Sequence, residues 1–134
     1  MLQKHLYEYA MIRVVPVIER EEFINVGVIL LCKKQKFLRV KLELNEGRLK
    51  AFCDQIDVEQ LRENLDAFSK IAEGRQACGP IAEMDITSRF RWLTAVKSAT
   101  IQTSRPHPGL TEDLEVTVSK LFDELVKVDG KASP

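Results

Sequence analysis

Arg13, Glu22 and Asn25 are the residues of this chain whose types and spacing can do chemistry. Arg13 and Asn25 stand inside the two most apolar runs, within YAMIRVVPVIEREEFINVGVILLC (Tyr9–Cys32), and Gly27 follows close behind. A polar group in such a run is costly unless it finds partners, so local rules are broken here. If the two runs are strands paired across the charged insert, Arg13 lies near Asn25 and Gly27, and all three project from one sheet face. A glycine opposite the arginine leaves room for the guanidinium to lie across the sheet. Glu21 or Glu22 can then supply a carboxylate for a bidentate pair. The plainer reading is a structural arginine–glutamate pair with Asn25 bonding backbone. The sharper one is a notch that binds an anion or orients a reacting group, with Arg13, Glu22 and Asn25 as its catalytic candidates.

A second set of polar groups lies in Ser88–His107, where Arg89, Arg91, Trp92, Lys97, Arg105 and His107 mix with hydroxyl and amide residues. Such side chains contact phosphates, and aromatic rings stack on bases. The ligand-binding candidates are therefore Arg13, Asn25, Gly27, Arg89, Arg91, Arg105 and His107. Trp92, on a short amphipathic helix, reads as core. Glu19, Glu21 and Glu22 read as solvated loop charge, since catalytic or metal-binding carboxylates must converge from several elements. Cys32, Cys53 and Cys78 are odd in number and lack framework spacing, which suits buried, reduced thiols. Without CxxC or HxxxH, and with His5 and His107 far apart, no metal site and no cofactor are expected. Phosphate-loop, dinucleotide, serine-hydrolase and zinc-peptidase motifs are absent as well, so the reading leans away from an enzyme.

The 134 residues suit one domain over 1–130 with a frayed tail at 131–134, and 45% hydrophobic against 30% charged residues is ordinary globular composition. Twenty basic residues balance twenty acidic ones, which removes the simplest argument for nucleic-acid or membrane binding. The charge is segregated, however: 33–44 and 85–109 are basic, while 45–84 and 110–134 are acidic, so a basic face is still conceivable. No apolar run reaches signal-peptide or membrane-span length, which makes the cytoplasm the expected compartment.

The elements that must position these residues follow from periodicity. Tyr7–Val15 and Ile24–Cys32 are apolar at both parities, as expected of strands covered on both faces. Phe37–Leu44 alternates, predicting a third strand with a charged outer face, and KKQK predicts a hairpin turn before it. Asn45 starts a short helix to about Cys53. Asp57 caps a longer one that ends at Gly74. Asp85, Thr87 or Ser88 caps a third, carrying Phe90, Leu93 and Val96. Ser98–Ser104 reads as a fourth strand. Arg105–Gly109 (RPHPG) reads as a loop, because its two prolines deny it ladder bonds. Thr111 caps a last helix, with Leu114, Val118, Leu121, Phe122 and Leu125 facing inward. The order βββαααβα indicates an α+β fold, an antiparallel or mixed sheet of about four strands with helices packed on it.

Tyr9, Ala10, Ile12, Arg13, Pro16, Arg20, Glu22, Phe23, Asn25, Val26, Gly27 and Val28 together form a pattern that resembles the opening signature of the bacterial family labelled domain of unknown function 3037. The later segments IQTSRP and LFDELV are also similar, so the resemblance covers nearly the whole chain. It implies no activity and no catalytic residues. It implies a short stand-alone bacterial protein, of a kind sometimes encoded beside kinases resembling the HipA toxin type, and hence an accessory or partner role. Two functions therefore stand side by side. One is a non-enzymatic module that binds a protein partner or self-associates as a homo-oligomer. The alternative is a small enzyme or ligand-binding protein acting on an anionic phosphate or nucleic-acid substrate.

Overall fold

The structure, a computed structural model, describes residues 3–75, 79–95 and 99–127. Its centre is a five-stranded antiparallel sheet: β1 (His5–Val14), β2 (Ile24–Cys32), β3 (Phe37–Leu42), β4 (Ile101–Thr103) and β5 (His107–Thr111). The path runs β3-β2-β1-β4, and β5 also pairs with β1. β1 and β2, apolar at both parities, take the central places because only there are both faces covered.

One face carries Ala10, Ile12 and Val14 of β1 with Val26, Ile29 and Leu31 of β2. Against them pack α1 (Glu46–Phe52) through Leu49, α2 (Val58–Glu73) through Leu61, Leu65 and Phe68, and α3 (Ile86–Leu93) through Phe90 and Leu93. The other face carries Val28, Leu30 and Cys32, covered by Leu114, Val118 and Phe122 of α4 (Leu114–Leu125). The first three helices begin where their caps predict. Asn45, Asp57 and Asp85 accept backbone N–H bonds from Arg48, Gln60 and Ser88, and Gly74 closes α2 in the left-handed region.

The last helix starts two residues later than expected. Asp113, not Thr111, accepts the Val116 N–H, while the Thr111 hydroxyl accepts from the Asp113 N–H. A carboxylate at the cap also suits the helix dipole better than a hydroxyl does.

A larger correction concerns RPHPG. Only Arg105 and Pro106 form the expected loop; His107–Thr111 is a strand, with Glu8 opposite Pro108 and Tyr7 opposite Gly109. An edge strand needs only half of its N–H groups, and proline fits the outward-facing half. Gly109 is required for another reason, since a Cβ there would strike the Tyr7 ring. β4 and β5 thus form one broken edge along β1. At the break the Ser104 N–H donates to Met11 O, and the Ser104 hydroxyl accepts from the Met11 N–H, both at 2.9 Å. Within the expected strand Ser98–Ser104 the strand found is Ile101–Thr103; Ser98, like Val96, Lys97, Cys78 and the predicted tail, lies outside the described residues.

Candidate functional site

The β1–β2 hairpin positions the notch. Ile12 pairs with Gly27 and Arg13 with Asn25, so Val26 is an extra residue, a β-bulge. Arg13 and Asn25 do share a face, the one covered by α4. Gly27 does not: the bulge turns it to the other face, where a Cβ would strike the Leu42 side chain and sit 2.7 Å from Lys41 O. Gly27 makes room for β3, and the guanidinium finds its space elsewhere. It lies 3.8 Å over the centroid of the Phe23 ring.

The expected carboxylate partner is also elsewhere. Glu22 receives two bonds from Arg20, at 2.8 and 3.3 Å, which hold its carboxyl below the usual range. Glu19 and Glu21 are exposed, as read for solvated loop charge. Arg13 Nε is buried without a hydrogen-bond partner, and burial lowers the affinity of its guanidinium for the proton. Asn25 donates from Nδ2 to the Leu125 carbonyl at the end of α4, 3.2 Å away, but its Oδ1 is buried and unpartnered. The closed arginine–glutamate pair is therefore not formed, and Arg13 and Asn25 face one another with a donor and an acceptor unmet.

The remaining candidates do not converge on this pair. Arg89 donates to the carbonyls of Ala72 and Met84, clamping the end of α2 to the 3₁₀ turn Pro80–Glu83. Arg91 grips Glu8 on β1 with two bonds, at 2.8 and 2.6 Å. His107 stacks beside Tyr9, with ring centroids 5.4 Å apart. Tyr9 lies four residues from Arg13 along β1, roughly 13 Å at the usual rise. Arg105 is exposed in the loop between β4 and β5. Part of the segregated charge is paired in space. Arg39 of β3 bonds Glu115 of α4 at 2.8 Å, and Lys41 lies over the Phe122 ring, so the basic strand is packed against the acidic helix.

Sequence reasoning missed a groove on the opposite face of the same hairpin. Between α2, α3 and β4 lies a cavity of about 500 Å³, lined by Ile18, Phe68, Ile71, Trp92, Leu93 and Thr103 among others. It adjoins a second of about 300 Å³ through Asn64 and Thr100. That one meets a third of about 450 Å³ through Pro16, Val17 and Cys53, with Phe52 on its wall. Val17, Ile18, Phe52 and Trp92, all along this groove, are exposed by 37–42%. Trp92 is thus a wall and not the core residue expected. Phe90 and Leu93 set the inward stripe of α3, and a residue two positions from Phe90 is turned about 200° away from it. The signal for this was present in the apolar Val17 and Ile18, set in the connection between β1 and β2, and in Phe52 at the end of α1, where a core residue has no reason to be.

Among the described residues no cluster of histidine, cysteine or carboxylate side chains could hold a metal ion, and no helix is long and apolar enough to cross a membrane. Cys32 is buried and Cys53 half-buried, both as free thiols. A family model described as "Protein of unknown function (DUF3037)" matches residues 9–126. No curated protein and no solved structure is similar to the chain at a significant level.

Proposed function

Because the chain belongs to the DUF3037 family of proteins of unknown function, its role must be read from its own surface, and we propose that it is a small interaction module that docks a protein partner along the Pro16–Phe23 end. One observation carries this reading: Val17, Ile18, Phe52 and Trp92 are exposed along one continuous groove. Single exposed apolar residues are normal, but a contiguous apolar concavity with a polar rim is what docking sites share. Aromatic residues are also enriched in interface cores. The accessory role implied by the family resemblance agrees, and the free thiols suit a reducing bacterial cytoplasm.

The alternative, a small enzyme or binding protein for an anionic substrate, has less behind it. Two of its arginines, Arg89 and Arg91, are engaged in bonds within the fold, and the rest lie apart. The test is capture of partners from the native host by wild type and by Ile18→Glu and Trp92→Ala, each checked for its fold by circular dichroism. A reproducible partner that both variants lose, with affinity falling about 30-fold or more, is expected. A clean monomer in light scattering with no reproducible partner rejects the reading.

A further inference from the structure

We propose that the groove holds an extended segment of the protein partner, added as a strand to the free edge of β4; this rests on the module reading above. The alternate side chains of that segment are apolar, and its end nearest the connection between β1 and β2 is basic. β4 is the last strand of the sheet path, and its register shows which of its main-chain groups are spare. The Val15 N–H donates to the Thr100 carbonyl at 2.7 Å, and the Ser104 N–H to the Met11 carbonyl at 2.9 Å. Bonded pairs alternate along an antiparallel ladder, so Gln102, between them, exchanges its bonds with Arg13. Ile101 and Thr103 then turn their N–H and C=O groups outward, where neither meets a partner among the described residues. Both are only half-buried, within reach of a partner. Proteins blunt such edges with proline or charge. The other edges of this sheet follow that rule: Pro108 takes an outward place on β5, and Arg39 and Lys41 stand on β3. β4 has neither, since Ile101, Gln102 and Thr103 are all uncharged.

The surroundings of that edge select the occupant. The cavity of about 500 Å³ has β4 along one wall and Phe68, Ile71, Trp92 and Leu93 along the other. A strand laid beside β4 sends every second side chain into this cavity, while its main chain meets the spare groups of Ile101 and Thr103. A helix could fill the same space but would leave those groups unmet. None of the described residues lining the cavity carries a charge, so the side chains it receives are apolar. Past Thr100 the groove continues to Pro16 and Val17, and there its border turns acidic. Asp54 and Asp57 line it, and Glu19 and Glu21 stand exposed on the adjoining connection. Arg20 is engaged by Glu22, which leaves Lys50 to oppose them among the described lining residues. Charge complementarity therefore asks for a basic end on the segment, lying over these carboxylates.

The experiment compares wild type, Ile18→Glu, Thr103→Pro and Thr103→Val for affinity towards the partner captured through the groove. Proline in place of Thr103 removes an outward N–H and leaves the ladder to β1 intact, as Pro108 does on β5, whereas valine keeps that N–H. Thr103→Pro is expected to weaken binding about tenfold or more, and Thr103→Val to stay within about threefold of wild type. Binding by Thr103→Pro within about threefold of wild type, while Ile18→Glu has lost the partner, overturns strand addition and leaves the module reading standing. Retention by Ile18→Glu removes the module reading instead. Amide hydrogen exchange of the wild-type protein, free and in the complex, needs no variant. Ile101 and Thr103 should gain protection on binding, while Gln102, already bonded to Arg13, changes little. No gain at Ile101 and Thr103, the result expected of a helical occupant, overturns the proposal. The same gain in the protein alone, where light scattering shows a dimer, also overturns it and makes a second copy the occupant. Affinity should fall with added salt, and about threefold when Glu19→Gln and Glu21→Gln are combined; an affinity indifferent to both overturns the basic end.

Discussion

Glu8 and Arg91 show what a charged side chain does in this fold when its partner is in reach. The two bonds from Arg91 hold the Glu8 carboxyl below its ordinary value of 4.5, against the opposing effect of burial. A carboxyl depressed in the folded state contributes stability above its unfolded value, and that contribution is lost as pH falls through the folded one. The stability difference between wild type and Glu8→Gln should therefore be constant above about pH 5 and close as the solution is acidified, in urea titrations at stepped pH. Its size should stay below about 1 kcal/mol, because the pair is partly solvated. Arg13 is the contrasting case, a cation in the sheet that lies over a ring and whose Nε has no hydrogen-bond partner among the described residues. That Arg13 and Asn25 are anomalous was legible from the sequence, since each interrupts an apolar run. That Glu22 belongs to Arg20 was not, because the choice between Arg13 and Arg20 depends on how the connection turns after Pro16.

Elements whose cause is local were the most legible. Asn45, Asp57 and Asp85 are short polar residues placed just before an inward stripe, and each does cap its helix. The broken edge was not legible, because its cause is a bond between residues 93 apart in sequence. Ser104, nearly buried at 7% exposure, uses its hydroxyl where a strand would use a carbonyl, and so lets the edge resume at His107 after two residues of loop. Ser104→Ala should leave the Met11 N–H buried without an acceptor and cost about 1–3 kcal/mol in denaturant unfolding. Ser104→Thr, which keeps the hydroxyl, should recover part of it. An alanine variant as stable as wild type would mean that the break is held by something else.

At the scale of the whole molecule, one sheet serves two helical layers, with β1 and β2 contributing residues to both. Neither layer keeps its apolar partners if the sheet opens, so unfolding should be a single event. Fluorescence of Trp92, which stands in the layer with α2, should lose its native signal at the same urea concentration as the far-ultraviolet dichroism of all the helices. Separated transitions would divide the chain into two units. The sequence by itself determined the α+β class, the helices, the central pair of strands and the place where polar groups intrude, because periodicity, capping and turn chemistry act over a few residues. Only the tertiary structure decided that RPHPG closes an edge, that a bulge turns Gly27 away from Arg13, and that the basic strand lies against the acidic helix. It also brought exposed apolar residues from one connection and two helices into one groove. Each of these depends on which distant segments become neighbours. A one-residue slip in pairing then moves a side chain to the opposite face.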